Sequence, residues 1–291
     1  MTEKRLELEL ILALFRRLGE LDTQIDFEPS FKTARNQLFE NRFLLGVTLL
    51  KSGDQDDLIV GICTQSGMPP NLLVAFEQTL PDANYVYFGA EKNEQTLIFK
   101  VYSEFRDKVQ VGLAADCDAG QSHLLFTGFK WDTASPTRQA VTEYAWYPSL
   151  SVREIHEHLR VFIEPNQHRE LLELAAGVTA QAAEKIPVGE IQFLEVTEKG
   201  NPRRSFDINV YKSGLSVEDL FPHLLPALRY YAIPEEKSES LYQKIKMERF
   251  GHLAGGIGRD NQDFMTVYYG AHKIHSSQLR SARVAPVDHS S

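Results

Sequence analysis

The sequence predicts an α/β fold of the α+β kind: a ten-stranded antiparallel β-barrel built from five hairpins, αββα repeats surrounded by a ring of helices around a central lumen. Three observations predict it. Alternating apolar and polar segments fall in pairs around polar turns near residues 54, 92, 135, 200 and 260. Segments with helical spacing separate most of those pairs. The junction Trp146 to Glu154 is echoed by Tyr211 to Asp219, each placing an aromatic five residues before a serine that opens a helix. Ser151 with Glu154, and Ser216 with Asp219, have capping-box spacing, so both junctions follow one design.

The elements follow in order. The first 21 residues, with acids inside an apolar pattern and no small-residue cleavage site, predict an amphipathic helix rather than a signal peptide. Residues 42–65, RFLLGVTLLKSGDQDDLIVGICTQ, predict the first hairpin, turning near Asp54. Pro69 and Pro70 open a helix that Pro81 ends. The second hairpin spans Asn84 to Phe105 with a polar turn at Glu91 to Glu94. Residues 106–121 predict a short helix or loop. The third hairpin turns around Ser135 and Pro136, and helices from Ser151 and from Asn166 to Lys185 follow. The fourth hairpin turns at Lys199-Gly200-Asn201-Pro202. Helices from Ser216 to Tyr231 and from Pro234 to Glu248 precede the fifth, which turns at Arg259 to Gln262. Residues 1–270 are expected to form one domain, and the polar, aperiodic tail 271–291 to be loosely ordered.

Composition narrows the function. With 291 residues and 43% hydrophobic content, the chain buries a sizeable core without staples. A formal charge of -9 speaks against a nucleic-acid or anionic-membrane surface, either of which needs a basic face. No run of 18 apolar residues predicts a membrane span. Cys63 and Cys117 show neither metal spacing nor a disulfide framework, which suits a reducing cytoplasm.

A barrel of ten strands is wider than its own side chains fill, so it encloses a cavity. Strand alternation then sorts the residues. Leu97, Phe99 and Val101, like Phe206, Ile208 and Val210, face the helices. Lys100, Tyr102, Asp207, Asn209 and Tyr211 face the lumen. On the third hairpin the parity stays open, because Lys130 and Trp131 cannot both face inward without a bulge. His252 is the histidine placed to matter, since it sits in a barrel strand. Other signals have plainer readings. Asp54, Asp56 and Asp57 predict a solvated turn, Gly255, Gly256 and Gly258 lack the full dinucleotide-loop pattern, and His156 and His158 are spaced wrongly for a helical zinc pair.

On Lys100-Val101-Tyr102 in the second hairpin, Asn209-Val210-Tyr211 entering a helix, and Tyr268-Tyr269 on the last strand, the chain resembles the soluble aromatic prenyltransferases of the ABBA, or PT-barrel, fold. The resemblance spans residues 1–270. It implies transfer of an allylic prenyl group from dimethylallyl or geranyl diphosphate to an aromatic small molecule of the indole or phenol type. The leaving diphosphate would be held by Lys100, Tyr102, Asn209 and Tyr211, helped by some of Lys130, Arg203, Arg42 and Arg249. Tyr144, Trp146, Tyr268 and Tyr269, with His252, would line the prenyl and aromatic pocket and shield the carbocation. Glu143 and Asp207 are the acid/base candidates. The resemblance implies no required cofactor and leaves Mg²⁺ as the one metal open, with no nucleic-acid or membrane partner. Phe264 stands where some members carry a lumenal lysine. Two other readings use the same cavity. A noncatalytic isoprenoid carrier would need no cations around Lys100, and a different small-molecule enzyme would show a second polar cluster opposite it.

Overall fold

The computed structural model describes residues 3–34, 36–50, 53–92, 97–115, 121–163, 168–258 and 262–280. Its strands form one antiparallel sheet that closes on itself, because β1 (Gln24–Ala34) pairs with β2 (Gln37–Thr48) on one side and with β10 (Asp263–Tyr269) on the other. Between them run β3 (Tyr85–Lys92), β4 (Leu97–Glu104), β5 (His123–Asp132), β6 (Ser135–Trp146), β7 (Gln192–Glu198), β8 (Asn201–Asn209) and β9 (Phe250–Ile257), each paired with its neighbour in chain order. Closure removes the unpaired edges that an open sheet exposes. The expected ten-stranded barrel is therefore present.

The helices lie around it: α1 (Glu3–Leu18), α2 (Gly53–Gln65), α3 (Pro70–Glu77), α4 (Arg106–Ala115), α5 (Val152–Phe162), α6 (Arg169–Ala183), α7 (Val217–Tyr230) and α8 (Glu235–Ile245). Apolar side chains collect between helices and sheet in two large cores. Leu97, Phe99 and Val101 pack with Ile59 and Ile62 of α2 and Phe76 of α3. Phe206, Ile208 and Val210 pack with Leu171 and Leu174 of α6 and Leu220 and Leu224 of α7. Both outward sets match the alternation in the sequence. The two capping boxes form as expected. Ser151 accepts from the Glu154 N–H at 3.3 Å and Ser216 from the Asp219 N–H at 3.1 Å, and each acid accepts in return from its serine's N–H.

Three expectations are corrected. The first hairpin is not at 42–65 but is β1 and β2, which end and begin at Ala34 and Gln37. Residues 53–65 form α2, in which Gln55, Ile59, Ile62 and Cys63 are buried at helical intervals. Its apolar run suits either structure by composition, and packing against the outside of the barrel decides it. Glu91 and Lys92 belong to β3, paired with Ile98 and Leu97, rather than to a turn. The start of the tail is ordered: β11 (His272–His275) pairs with Gln24 to Phe27 of β1, and α9 (Ser277–Arg280) follows. Residues 281–291, like Cys117, lie outside the described residues.

Candidate active site in the barrel lumen

Inward-facing side chains sort along the barrel by chemistry. At one level Lys32 of β1, Arg42 of β2 and Lys100 of β4 converge on Glu91 of β3, at 3.0, 3.3 and 2.5 Å. Side-chain exposures of 25%, 8%, 11% and 13% for Lys32, Arg42, Lys100 and Glu91 put the group largely out of water. Burial works to raise the Glu91 pKa, but Arg42, Lys100 and Lys32 together hold it well below the ordinary carboxylate value. Burial, with Arg42 and Lys32 nearby, lowers Lys100 to about 8 against the opposing pull of Glu91. Lys130 lies directly across from Lys100 in register. Arg42 also donates to Thr266 Oγ1 at 3.2 Å, while its buried Nε–H has no hydrogen-bond partner among the described residues. Lys32 sits over the Phe264 ring at 5.4 Å, so the neighbouring strand β1 places a cation beside that position.

Next along the lumen stands a layer of phenols. Tyr102 and Tyr144 meet edge to face at 5.9 Å, and Tyr144 meets Phe126 the same way at 6.0 Å. Tyr268 lies between the two charged ends, within electrostatic reach of Arg42 on one side and of Asp207 and Glu28 on the other. Burial first, then neighbouring phenols, pushes the Tyr102 pKa well above its usual range, so this phenol stays a neutral donor. Tyr102 holds its place because Gly128 is opposite it on β5: a Cβ there would come within 2.7 Å of the ring. Gly251 makes the same room for Tyr211, whose hydroxyl a Cβ would meet at 2.4 Å.

The far end carries carboxylates and an imidazole. His252 of β9 hydrogen-bonds through Nδ1 to both oxygens of Asp207 at 2.8 Å, and its Nε2 is 3.3 Å from Glu28 Oε1. Tyr211 donates to the same Glu28 oxygen at 2.7 Å, and the His252 ring stacks flat on Tyr268 at 3.8 Å. Burial opposes the imidazolium, but Asp207 and Glu28 outweigh it and push the His252 pKa up to about 10. The Asp207 and Glu28 carboxylates on its two sides thus favour the imidazolium form of His252. A cavity of about 210 Å³ opens beside this cluster, walled by Tyr102, Phe126, Tyr144, Leu194 and Tyr268, with Asp26, Glu28, Asp207 and Asn209 also lining it.

The placement of the expected residues follows. Lys100, Tyr102, Tyr144, Asp207, Asn209, Tyr211, His252 and Tyr268 all lie on the lumen side, but Asn209 and Tyr211 sit at the carboxylate end rather than with Lys100. Asn209 accepts from the Tyr211 N–H at 3.1 Å and so shapes the turn after β8. Glu143 is exposed on the opposite parity of β6 from Tyr144, and that alternation removes it from the site. Tyr269 turns outward after a register shift and packs on the outer core near Phe31. Trp146 packs with Val109 of α4, Leu125 and Leu194 beside the lumen and does not line the cavity. Trp131 faces outward, donating to the Ser66 carbonyl at 2.8 Å, which leaves Lys130 the inward parity. The Arg203 side chain lies outside the described residues. Lys32, Glu28 and Glu91 are site residues beyond the expected set. Strict alternation of Asp26, Glu28, Ser30 and Lys32 with Ile25, Phe27, Pro29 and Phe31 is the signal that marks the first two.

A closed ten-stranded barrel whose lumen holds a buried cation cluster, a phenol layer and a cavity is the architecture of a small-molecule enzyme or binding barrel. Solved structures narrow the fold. The chain is similar to 5-dimethylallyl tryptophan synthase from Streptomyces coelicolor in complex with DMASPP and Trp, with a TM-score of 0.57 and 11% identity over 97% of this chain and 98% of that one. It is similar to prenyltransferase PriB in a ternary complex with L-tryptophan and dimethylallyl thiolodiphosphate, with a TM-score of 0.56 and 13% identity over 95% and 98%. A third likeness is to 6-dimethylallyltryptophan synthase from Micromonospora olivasterospora in complex with DMASPP and Trp, with a TM-score of 0.54 and 12% identity over 84% and 81%. No family model and no curated protein matches the chain. The shared property at these identities is the fold: this chain has the PT-barrel fold of soluble aromatic prenyltransferases. Among the described residues, no helix is long and apolar enough to cross a membrane, and no group of three His, Cys, Asp or Glu side chains is disposed to hold a metal ion.

Proposed function

We propose that this chain transfers an allylic prenyl group from a prenyl diphosphate, dimethylallyl or geranyl, to an aromatic small molecule inside the barrel. The observation that carries the reading is the convergence of Lys32, Arg42 and Lys100, opposite Lys130, above a phenol-walled cavity. Cleaving the allylic C–O bond sends its electron pair to the diphosphate, so the rate depends on donors fixed where that charge grows. Three cations largely out of water with one carboxylate among them keep a net positive charge, and the Arg42 Nε–H, without a partner among the described residues, is a further donor for a phosphoryl oxygen. The allylic cation then faces the ring faces of Tyr102, Tyr144 and Tyr268, which stabilise it without attacking it. The acceptor ring forms the new C–C bond, and its ring proton passes to the carboxylate pair Asp207 and Glu28 that His252 bridges.

A carrier barrel needs no cation cluster, and the lumen has one. A different small-molecule enzyme on the same barrel is the second reading, favoured by the polar cluster of Glu28, Asp207, His252 and Tyr211 at the other end. Calorimetry with dimethylallyl thiolodiphosphate separates them. Prenyl transfer predicts binding in the wild type and at least about tenfold weaker binding in Lys100→Met, since a charge-assisted hydrogen bond contributes roughly 1.5–3 kcal/mol. Absence of binding, or equal binding by the variant, counts against it.

A further inference from the structure

The two ends of the lumen differ in charge, and the cavity adjoins the negative one. Among the described residues lining it, Asp26, Glu28 and Asp207 are acidic, His252 is the one cation, and there is no lysine or arginine. The basic side chains near this end serve other groups. Lys273 is two-thirds exposed and binds Asp26 at 2.8 Å from outside, and Arg249, within electrostatic reach of Tyr211, does not line the cavity. Asp26 is also bonded by Tyr85. With Asp26 met by Lys273, the inner wall keeps two carboxylates, Glu28 and Asp207, against the single imidazole of His252. A carboxylate held there would meet carboxylates across a dry aromatic cavity, where like charges repel strongly.

Resting on the prenyl-transfer reading, we propose that the acceptor is an aromatic molecule carrying an amine or another cationic group and no carboxylate, with its positive group held against Glu28 and Asp207. The solved neighbours are bound to tryptophan, an amino acid. This cavity instead selects the arylalkylamine class. The cation cluster around Glu91 does not rescue a carboxylate, because the diphosphate takes that end of the lumen. Glu28 and Lys32 are four residues apart on one strand, about 13 Å at roughly 3.3 Å per residue.

Four indoles test the idea on the wild-type protein saturated with dimethylallyl thiolodiphosphate: tryptamine, ethylindole, L-tryptophan and indolepropionate, compared by calorimetry. Tryptamine is expected to bind at least about tenfold tighter than tryptophan, and indolepropionate weakest of all. In Glu28→Gln and Asp207→Asn the preference for tryptamine over tryptophan should narrow at least about fivefold, with thiolodiphosphate binding kept. Tryptophan binding as tightly as tryptamine, an unchanged preference in both folded variants, or no binding by any of the four would overturn the proposal. Thiolodiphosphate affinity, measured alone, reports separately on the prenyl-transfer reading. Tryptamine binding without it would sink prenyl transfer and leave the charge selection standing.

Discussion

At the scale of single residues, Lys100 shows how environment makes a function. On a solvated edge it would be an ordinary lysine, with a pKa near 10.5; buried beside Arg42 and Lys32 it falls to about 8. Thiolodiphosphate affinity should therefore decline as pH rises through about 8, and Lys100→Arg should remove that decline, because guanidinium keeps its charge. An affinity flat from about pH 7 to 9 in the wild type would contradict the assignment. On the prenyl-transfer proposal Glu91 competes with the donor for the same three cations, so Glu91→Gln is expected to tighten thiolodiphosphate binding; weaker binding would show that Glu91 instead organises the cluster. His252 makes a stability prediction of opposite kind. Its folded pKa of about 10 lies above the ordinary 6.5, so its contribution is complete below about 6.5 and is lost as pH rises toward about 10. Melting temperature should fall across that window, and His252→Gln should flatten the fall. Lys100 and Tyr102 were legible in the sequence because their strand alternates cleanly. Lys32 and Glu28 carry an alternation signal that Pro29 weakens, since proline argues against a strand; β1 accommodates it beside a register shift between Ser30 and Lys32.

At the scale of elements, what the sequence shows best is what local chemistry decides. The repeated junctions at Ser151 and Ser216 are capping boxes, and both form. Ser216→Ala is expected to cost about 1 kcal/mol in denaturant unfolding, with thiolodiphosphate affinity unchanged. A loss of binding in a fully folded variant would tie the start of α7 to the site. Where tertiary packing decides, sequence signals mislead. The run Leu58 to Cys63 is apolar enough for a strand, yet it packs one face on the barrel as α2. Glu91 lies at the end of β3, and the polar residues after it mask where the strand stops. Tyr268 and Tyr269 look equivalent in the chain, but strand parity sends one into the lumen and the other into the outer core.

At the scale of the whole molecule, the barrel separates two opposite charges that a solvated surface would screen. Lys32, Arg42 and Lys100 hold one end, Glu28, Asp207 and His252 the other, and phenols with the cavity lie between. That order suits a reaction that begins with loss of an anion and ends with loss of a proton. The overall charge of -9 gives no hint of it, since the cations are few and buried. Barrel architecture was legible because five paired alternations imply ten strands, even with the first hairpin misplaced. The layering was not, because it depends on which residues of distant strands come level. The most direct measurement is turnover: incubate the protein with dimethylallyl or geranyl diphosphate and a panel of indoles and phenols, including tryptamine, and follow pyrophosphate release with mass spectrometry of the acceptor. Prenyl transfer predicts pyrophosphate formed one for one with an acceptor heavier by one prenyl group. No pyrophosphate, or pyrophosphate with no prenylated acceptor in any pairing, would contradict the account.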